Sequence, residues 1–181
     1  RRQRQMWIRD RSLFTMEHAR QLTADTYELV LSGDTSAITA PGQFVNIQLP
    51  GKFLRRPISI CNWTKDALLL LVRVVGEGTH DLVRCVPGTE LDVLSGLGNG
   101  FDLAKGGAHP ILLGGGIGIA PLYGLAQRML EAGIAPTVGL GFRSGGDAFY
   151  LEEFGKLGCR LMVATEDGSL GTKGFVTDLA R

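Results

Sequence analysis

Long apolar runs, strong net charge and cysteine are all scarce in this sequence, and each scarcity excludes a class of protein. The apolar run ALLLLVRVV, from Ala67 to Val75, is short and interrupted by Arg73, whereas a membrane-spanning helix needs about 20 consecutive apolar residues. The run is more typical of a buried strand, so we expect no membrane partner. The net charge is only +1, and nucleic-acid binders are usually clearly basic, so we expect no nucleic-acid partner.

The three cysteines, Cys61, Cys85 and Cys159, lie far apart in the sequence. A sparse, odd number of cysteines indicates a reducing compartment, which favours the cytoplasm. Their spacing matches no zinc or iron–sulfur ligand pattern. The histidines are scattered as well, and no Ser–His–Asp or Cys–His signature is present. We therefore predict no metal site and no catalytic triad.

Glycine is abundant, with 26 residues, and it clusters in short runs between two patterns of secondary structure. From residue 13 to about residue 94, short alternating segments such as TYELVLS and QFVNIQL predict an antiparallel barrel or a sandwich. From residue 105 onward, strands alternate with helices, which predicts a parallel sheet with flanking helices. We predict two domains, 13–104 and 105–181, the second of them incomplete. Residues 1–12 show no strand or helix period, and we interpret them as a non-native or disordered basic arm.

The segment GGGIGIAP, from Gly114 to Pro121, follows a predicted strand and opens a predicted helix. In that context, backbone amides and the positive end of a helix can bind a pyrophosphate. Pro121 suits the first helical turn, and Gly133 is a plausible C-cap. The full dinucleotide fingerprint is not met, because no acid closes the next strand and Arg143 and Ser144 stand there instead. A tight turn without a ligand therefore stays open as an alternative.

Two segments of the first half also favour binding of an anion. In LRRPIS, Pro57 biases Arg56 toward an extended backbone, and Ser59 should share a sheet face with Pro57. In VGEGT, a glycine turn leads into a short helix that Thr79 can cap. A pair of surface arginines at a strand start and plain capping by Thr79 are the alternative interpretations.

Two further loops carry polar groups that a ligand could use. Asn99 lies between glycines in SGLGNGF and could bind a ligand or merely adopt a left-handed turn. Glu166, Asp167 and Ser169 follow a predicted strand, where ligands of parallel sheets usually lie, and could reach ribose hydroxyls. A simple polar loop is equally compatible with the second segment.

Taken together, RRPIS, GEGT and GGGIGIAP resemble the ferredoxin–NADP reductase superfamily in identity and order. LRRPISI, VGEGT, LGNGF and TEDGSLGTKGFVTD resemble, within it, the family of electron-transfer subunits of NAD-dependent dihydroorotate dehydrogenase. The resemblance covers Leu13 to the end of the chain. It implies an antiparallel Greek-key flavin-binding β-barrel followed by a Rossmann-like nicotinamide-binding α/β domain.

The resemblance also implies a role for each matching residue. Arg56 would bind the FAD phosphates, and Pro57, Ile58 and Ser59 would line the isoalloxazine. Arg73, Val74 and Val75 would flank the flavin, and Gly78 and Thr79 would hold the pyrophosphate. The glycine loop would face the nicotinamide coenzyme. The predicted cofactor-binding residues are Arg56, Pro57, Ile58, Ser59, Arg73, Val74, Val75, Gly78, Thr79, Asn99, Gly115, Gly116, Gly118 and Pro121.

The implied activity is that of an oxidoreductase component in pyrimidine biosynthesis. It would transfer hydride between NAD(H) and FAD and exchange electrons, through a [2Fe–2S] cluster, with an FMN-containing dihydroorotate dehydrogenase catalytic subunit. The family's cluster cysteines lie in a C-terminal tail that this sequence lacks, so we expect this chain not to hold the cluster. Two other hypotheses remain: a reductase subunit of another complex, such as a sulfhydrogenase or transhydrogenase, and a nucleotide-binding interaction module without a redox role. The preference for NAD or NADP is left open.

Overall fold

A computed structural model describes residues 11–180 of the chain, which form two compact units. The first unit ends at Gly100 and the second begins at Phe101, four residues before the domain boundary expected from composition. Most of the predicted basic arm, residues 1–10, lies outside the described residues. Its last two residues, however, belong to the first strand, because Arg11 and Ser12 pair with Leu94 and Val93.

The first unit is a closed barrel of six antiparallel strands with one short helix. The order of the strands around the barrel is β1-β2-β5-β4-β3-β6, so β2 pairs with β5 and β3 pairs with β6 in a Greek-key arrangement. Its elements are β1 (Arg11–Gln21), β2 (Thr26–Ser32), β3 (Phe44–Gln48), β4 (Arg56–Trp63), β5 (Ala67–Arg73), α1 (Glu77–Val83) and β6 (Glu90–Leu97).

The interior of the barrel is filled by the apolar residues of the alternating strand pattern. In β3, for example, Val45 and Ile47 are fully buried, whereas their neighbours Phe44, Asn46 and Gln48 are only partly buried. Because β1 pairs with β6, the described strands form a closed sheet without an unpaired edge. Of the two predicted alternatives, the first unit is therefore a barrel and not a sandwich. The core consists mainly of Phe14, Met16, Leu29, Leu31, Val45, Ile47, Ile60, Leu68, Leu70, Leu82, Leu91 and Val93.

The second unit is a parallel sheet with the order β10-β9-β8-β7, accompanied by two helices. The combination of barrel and parallel α/β sheet confirms the predicted fold class. Short 3-10 turns also occur, including Gly116–Ile119, Gly145–Asp147 and Val176–Ala180. The regular elements are β7 (Ile111–Gly115), α2 (Ala120–Glu131), β8 (Thr137–Phe142), α3 (Leu151–Lys156), β9 (Arg160–Thr165) and β10 (Thr172–Lys173).

Helix α2 has the boundaries that its sequence predicts. Pro121 lies in its first turn, where the missing N–H costs no hydrogen bond. Gly133 follows the helix with φ 76° and donates to the carbonyl of Leu130, so the predicted glycine stop is confirmed. Among residues 11–180, none of the helices is both long and apolar enough to cross a membrane.

Candidate functional site

The two adjacent arginines at the start of β4 have different environments. Arg55 links strands of the barrel. It donates to Asp92 Oδ1 at 2.8 Å and to the carbonyls of Asn46 and Asp92 at 3.1 Å each. Arg56 instead donates from Nη1 to the carbonyls of Leu54 (2.7 Å) and Arg55 (3.4 Å). Within residues 11–180 no carboxylate pairs with Arg56, so its charge remains free for an anionic ligand.

The guanidinium of Arg56 lies directly on the backbone of Gly78, in the first turn of α1. A Cβ added to Gly78 would lie 1.8 Å from Arg56 Nε and 2.4 Å from Cζ. Only glycine permits this approach. The fold thus brings together two residues, 22 positions apart, that the sequence predicts as ligands of one diphosphate.

Thr79 organises the turn that leads into α1. The helix begins at Glu77, two residues before the predicted cap, so Thr79 lies inside the first turn. Its hydroxyl accepts from the N–H groups of Val75 (3.0 Å) and Gly76 (3.3 Å) and donates to the carbonyl of Gly76 (3.0 Å). Thr79 is therefore not the N-cap, which is Gly76, but bonds back to that residue from the third helical position. Contact of Thr79 with a pyrophosphate stays a prediction.

The beginning of β4 presents two exposed residues after Arg56, Pro57 and Ser59. Pro57 and Ser59 are exposed and pair with Asn46 and Phe44, whereas Ile58 between them is half-buried and packs on the barrel core. Pro57 and Ser59 therefore share one face of the strand, as the alternation of side chains predicts. A flat ring could lie along this face.

The three residues predicted to flank the flavin from β5 point into different surroundings. Arg73 pairs through Nε with Asp25 Oδ2 at 2.7 Å, Val74 packs against the barrel core, and Val75 is 81% exposed. Burial alone would raise the pKa of Asp25, but the hydrogen bond from Arg73 and its charge help to hold that pKa below the usual value. The charge of Arg73 is thus already balanced, and its contact with a flavin stays a prediction.

Asn99 is exposed on a loop that Gln43 fixes. The flanking Gly98 and Gly100 have φ values of 84° and 73°, so the glycines adopt the left-handed conformation and Asn99 does not. The buried Gln43 amide donates to the carbonyls of Gly96 (3.1 Å) and Gly98 (3.0 Å). Its Oε1 accepts from the N–H of Thr39 at 2.7 Å. Sequence reasoning missed Gln43, because nothing in the sequence shows that a glutamine before a strand will hydrogen-bond several backbone groups of another loop.

In the second unit, the predicted glycine loop connects β7 to α2 and is open. A Cβ on Gly114 would lie 2.6 Å from Leu122 Cδ1, so this glycine is needed for packing. A Cβ on Gly116 or Gly118 would have no neighbour within 4 Å, and one on Gly115 would lie 3.9 Å from the Gly141 carbonyl. The space beside these three glycines is therefore available to a ligand.

The loops after β8 and β9 are bonded to each other at the same end of the sheet. Asp167 donates its N–H to the carbonyl of Arg143 at 3.2 Å, and Gly145 donates its N–H to Ser169 Oγ at 2.7 Å. The Ser169 hydroxyl donates in turn to Asp167 Oδ1 at 2.6 Å. Asp167 and Ser169 are therefore engaged with the chain, whereas the Glu166 side chain is exposed.

These contacts also reveal an acid that sequence reasoning missed. The 3-10 turn Gly145–Asp147 returns Asp147 toward the end of β8, where its Oδ2 accepts from Ser144 Oγ at 2.9 Å. The same oxygen lies 3.9 Å from Arg143 Nε. An acid at this position of a parallel sheet commonly binds a ribose hydroxyl. The only sequence signal was a carboxylate five residues past the strand.

The cysteines of the described chain offer no metal centre. Residues 11–180 contain no group of three or more His, Cys, Asp or Glu that could hold a metal ion. Cys61 is buried in the barrel. Burial raises the pKa of the Cys159 thiol, and burial together with the charge of Asp81 raises that of Cys85. Raised thiol pKa values disfavour the thiolate form that ligates metals.

Comparison with known proteins places the chain among flavin-dependent reductases. No family model matches the chain. The dihydroorotate dehydrogenase B (NAD(+)) electron transfer subunit of Listeria monocytogenes is 42% identical over 167 residues, which are 89% of this chain and 65% of that protein. The subunit of the same name from a Geobacillus species is 42% identical over 173 residues, 91% of this chain and 67% of that one.

A solved structure shows the same likeness in three dimensions. It is that of an NADH-dependent reduced ferredoxin–NADP oxidoreductase, with a TM-score of 0.82 and 32% sequence identity. The match covers 92% of this chain and 61% of that chain. The chain thus spans less than two thirds of the Listeria relative and of this solved structure.

Proposed function

Since this chain belongs to the family of dihydroorotate dehydrogenase B electron transfer subunits, we propose that it binds FAD and transfers electrons between NAD(H) and a partner enzyme. The family resemblance expected from the motifs is confirmed by these relatives. When bound, FAD accepts a hydride from NADH and can release the two electrons singly. The protein supplies the binding groups and the position of each cofactor.

The contact between Arg56 and Gly78 carries the proposal for FAD. The first unit offers a guanidinium without a carboxylate partner within residues 11–180, which donates to the Leu54 carbonyl and lies against the backbone of Gly78 in α1. The exposed Pro57 and Ser59 follow Arg56 along β4. An anionic diphosphate attached to a flat ring fits both features, so the residues present are compatible with FAD. Arg56 and the turn at Gly78 and Thr79 would hold the diphosphate, and Ser59 with the backbone of Pro57 and Ile58 would line the ring.

The open loop of the second unit supports the proposal for NAD(H). Gly115, Gly116 and Gly118 leave room for a ligand beside the backbone, and Pro121 begins the helix that follows them. Backbone N–H groups in this position suit a pyrophosphate. We assign the coenzyme to this loop, with Asp147 as an acceptor for an adenosine ribose hydroxyl.

The proposed partner of this chain is the catalytic subunit of the enzyme to which its relatives belong. The relatives are named as subunits of dihydroorotate dehydrogenase B, so the electrons would be exchanged with its FMN-containing catalytic subunit, in the cytoplasm. A [2Fe–2S] cluster would be held outside residues 11–180. A reductase subunit of another complex is the second candidate, since the similar solved structure is an NADH-dependent ferredoxin–NADP oxidoreductase. Co-expression with the neighbouring gene, followed by identification of the co-purifying protein, distinguishes the two.

The test uses the full chain and begins with its colour. We expect the purified protein to show flavin absorbance and to bleach when NADH is added. Replacing Arg56 by Ala should weaken FAD binding about tenfold to a hundredfold, because hydrogen bonds to charged groups contribute about 1.5–3 kcal/mol. Dissociation constants for FAD measured by fluorescence titration would show the change.

Arg84→Ala is the matched control. Arg84 is exposed in the same unit, and no hydrogen bond or ion pair of its side chain occurs within residues 11–180. Its removal lowers the net charge equally and should leave the FAD affinity unchanged. An equal loss in both variants would mean that Arg56 acts only through general charge. A colourless chain that does not bind added FAD would reject the flavin assignment and favour a non-redox interaction module.

A further inference from the structure

Among the described residues of the barrel unit, the most exposed large apolar side chain stands three residues before Arg56. Phe53 is 96% exposed, and the following Leu54 is 64% exposed. Both lie on the connection between β3 and β4. A phenyl ring fully presented to solvent, next to a guanidinium without a carboxylate partner, has no packing role within residues 11–180.

The connection that carries Phe53 is held in place on both sides. The N–H of Lys52 donates to the carbonyl of Leu49 at 3.2 Å, and the Gln48 amide donates to the Lys52 carbonyl. The Lys52 ammonium pairs with Asp81 Oδ2 at 3.1 Å and with the carboxylate of Glu77, both on α1. On the other side, Arg56 donates to the carbonyl of Leu54. The backbone is therefore fixed while the ring of Phe53 is left free.

The order of residues along the chain gives the ring a direction relative to the proposed ligand. The strip of Pro57 and Ser59 follows Arg56, and Phe53 precedes it. In FAD, the diphosphate separates the isoalloxazine from the adenosine. If Arg56 binds the diphosphate and the isoalloxazine lies on the strip, the adenosine extends toward Leu54 and Phe53. The Leu54 carbonyl is 2.7 Å from Arg56 Nη1, and adjacent Cα atoms are about 3.8 Å apart, so Phe53 is within reach.

We infer that the ring of Phe53 stacks on the adenine of FAD and so makes this chain select FAD over FMN. The inference rests on the proposed function, since it requires the flavin dinucleotide at Arg56. Purine bases stack favourably on aromatic rings. Fixation of the backbone reduces the conformational entropy lost when the ring is covered. The adenine would cover apolar surface that is otherwise in contact with water.

The test compares FAD with FMN, which lacks the adenosine. In the full chain, Phe53→Ala should raise the dissociation constant for FAD about tenfold, the size expected for one base–aromatic stack. The constant for FMN should stay unchanged, because FMN does not reach Phe53. Phe53→Trp should restore FAD affinity. Val86→Ala removes another exposed apolar side chain of the same unit, 68% accessible, and should change neither constant.

Each contrary result has its own meaning. Equal weakening of FAD and FMN, or unchanged FAD affinity in Phe53→Ala, would overturn the stacking inference while leaving the flavin assignment intact. Unchanged FAD affinity together with weaker binding of the catalytic subunit would assign Phe53 to a protein interface instead. Failure of the unaltered chain to bind FAD would remove the proposed function, and the inference with it.

Discussion

The glycine loop after β7 contains glycines that meet different physical needs. Gly114 makes room for Leu122, whose Cδ1 would lie 2.6 Å from an added Cβ. Gly116 adopts φ 51°, a conformation that side chains disfavour. Gly118 has neither a positive φ nor a neighbour within 4 Å of an added Cβ. The described chain therefore gives no reason for glycine at 118, and close approach of a ligand would supply one.

Gly118→Ala should leave the fold intact and weaken coenzyme binding. The added methyl group enters open space, so the free energy of unfolding should change by less than about 1 kcal/mol. The same methyl group would stand between the backbone and a pyrophosphate, and we expect the dissociation constant for NADH to rise about tenfold or more. Fluorescence titration with NADH measures this effect, and urea denaturation measures the stability.

Gly155→Ala is the control for that experiment. Gly155 lies in α3, where an added Cβ also has no neighbour within 4 Å. Alanine favours a helix over glycine by about 0.5–1 kcal/mol, so this variant should be slightly more stable and should bind NADH normally. If Gly118→Ala bound NADH as tightly as Gly155→Ala does, the loop would not contact the coenzyme.

At the scale of elements, Asp92 joins β1, β6 and the connection before β4. Arg11 donates from Nε to Asp92 Oδ2 at 2.8 Å, and Arg55 donates from Nη2 to Oδ1 at 2.8 Å. Burial alone would raise the pKa of Asp92, but the hydrogen bonds and charges of the two arginines hold it below the usual value. The carboxylate therefore links three segments that are distant in sequence.

The depressed pKa of Asp92 predicts a loss of stability in acid. Because the pKa is lower in the folded state, the stabilisation is fully present above the unfolded value, about 3.9, and is lost as pH falls through the folded value. Asp92→Asn should lower the free energy of unfolding at pH 7 by about 1–2 kcal/mol. The difference from the unaltered chain should shrink below about pH 4. Urea titrations at pH 7 and pH 3 measure it.

Glu90→Gln controls for the removal of a carboxylate from the same strand. Glu90 is exposed, and its side chain has no hydrogen bond or ion pair within residues 11–180, so this variant should follow the unaltered chain at both pH values. If the difference in free energy of unfolding between Asp92→Asn and the unaltered chain stayed constant from pH 7 to pH 3, the carboxylate charge would not be the source of the stabilisation.

Most elements were predictable from sequence because their signals are local. The alternation in TYELVLS gives β2 at Thr26–Ser32, and the proline and glycine around α2 give its ends. The cap of α1 was misplaced by three residues, because the helix is capped at Gly76 and the hydroxyl of Thr79 bonds backward to the N–H of that residue. Near the end of the described chain, residues Val176–Ala180 form only a 3-10 turn. Short helices depend on tertiary contacts more than on propensity.

At the scale of the whole molecule, the two units allow FAD and the coenzyme to stabilise different parts of the chain. A ligand that binds only the folded state, at a concentration of about 100 times its dissociation constant, adds about 2.7 kcal/mol to the free energy of unfolding of the unit that binds it. We expect FAD to raise the melting temperature of the barrel unit and ADP-ribose that of the α/β unit. Differential scanning calorimetry with each ligand alone should show one transition shifted and the other unmoved.

Arg56→Ala provides the internal control for the calorimetry. It should abolish most of the shift caused by FAD and keep the shift caused by ADP-ribose, because the substitution lies in the barrel unit. A single transition that both ligands shift would contradict the prediction and show that the units unfold together.

The sequence by itself determined the order of an antiparallel β unit and an α/β sheet, and it singled out three segments as candidate sites for anion binding. These features follow from period, turn residues and short motifs, which act over a few neighbouring positions. Only the tertiary structure decided that Arg55 is engaged by Asp92 while Arg56 lies on Gly78, and that Asp147 returns to the end of β8. Those outcomes depend on contacts between distant segments, because the free energy of a charge is set by the groups around it and not by its neighbours in the chain.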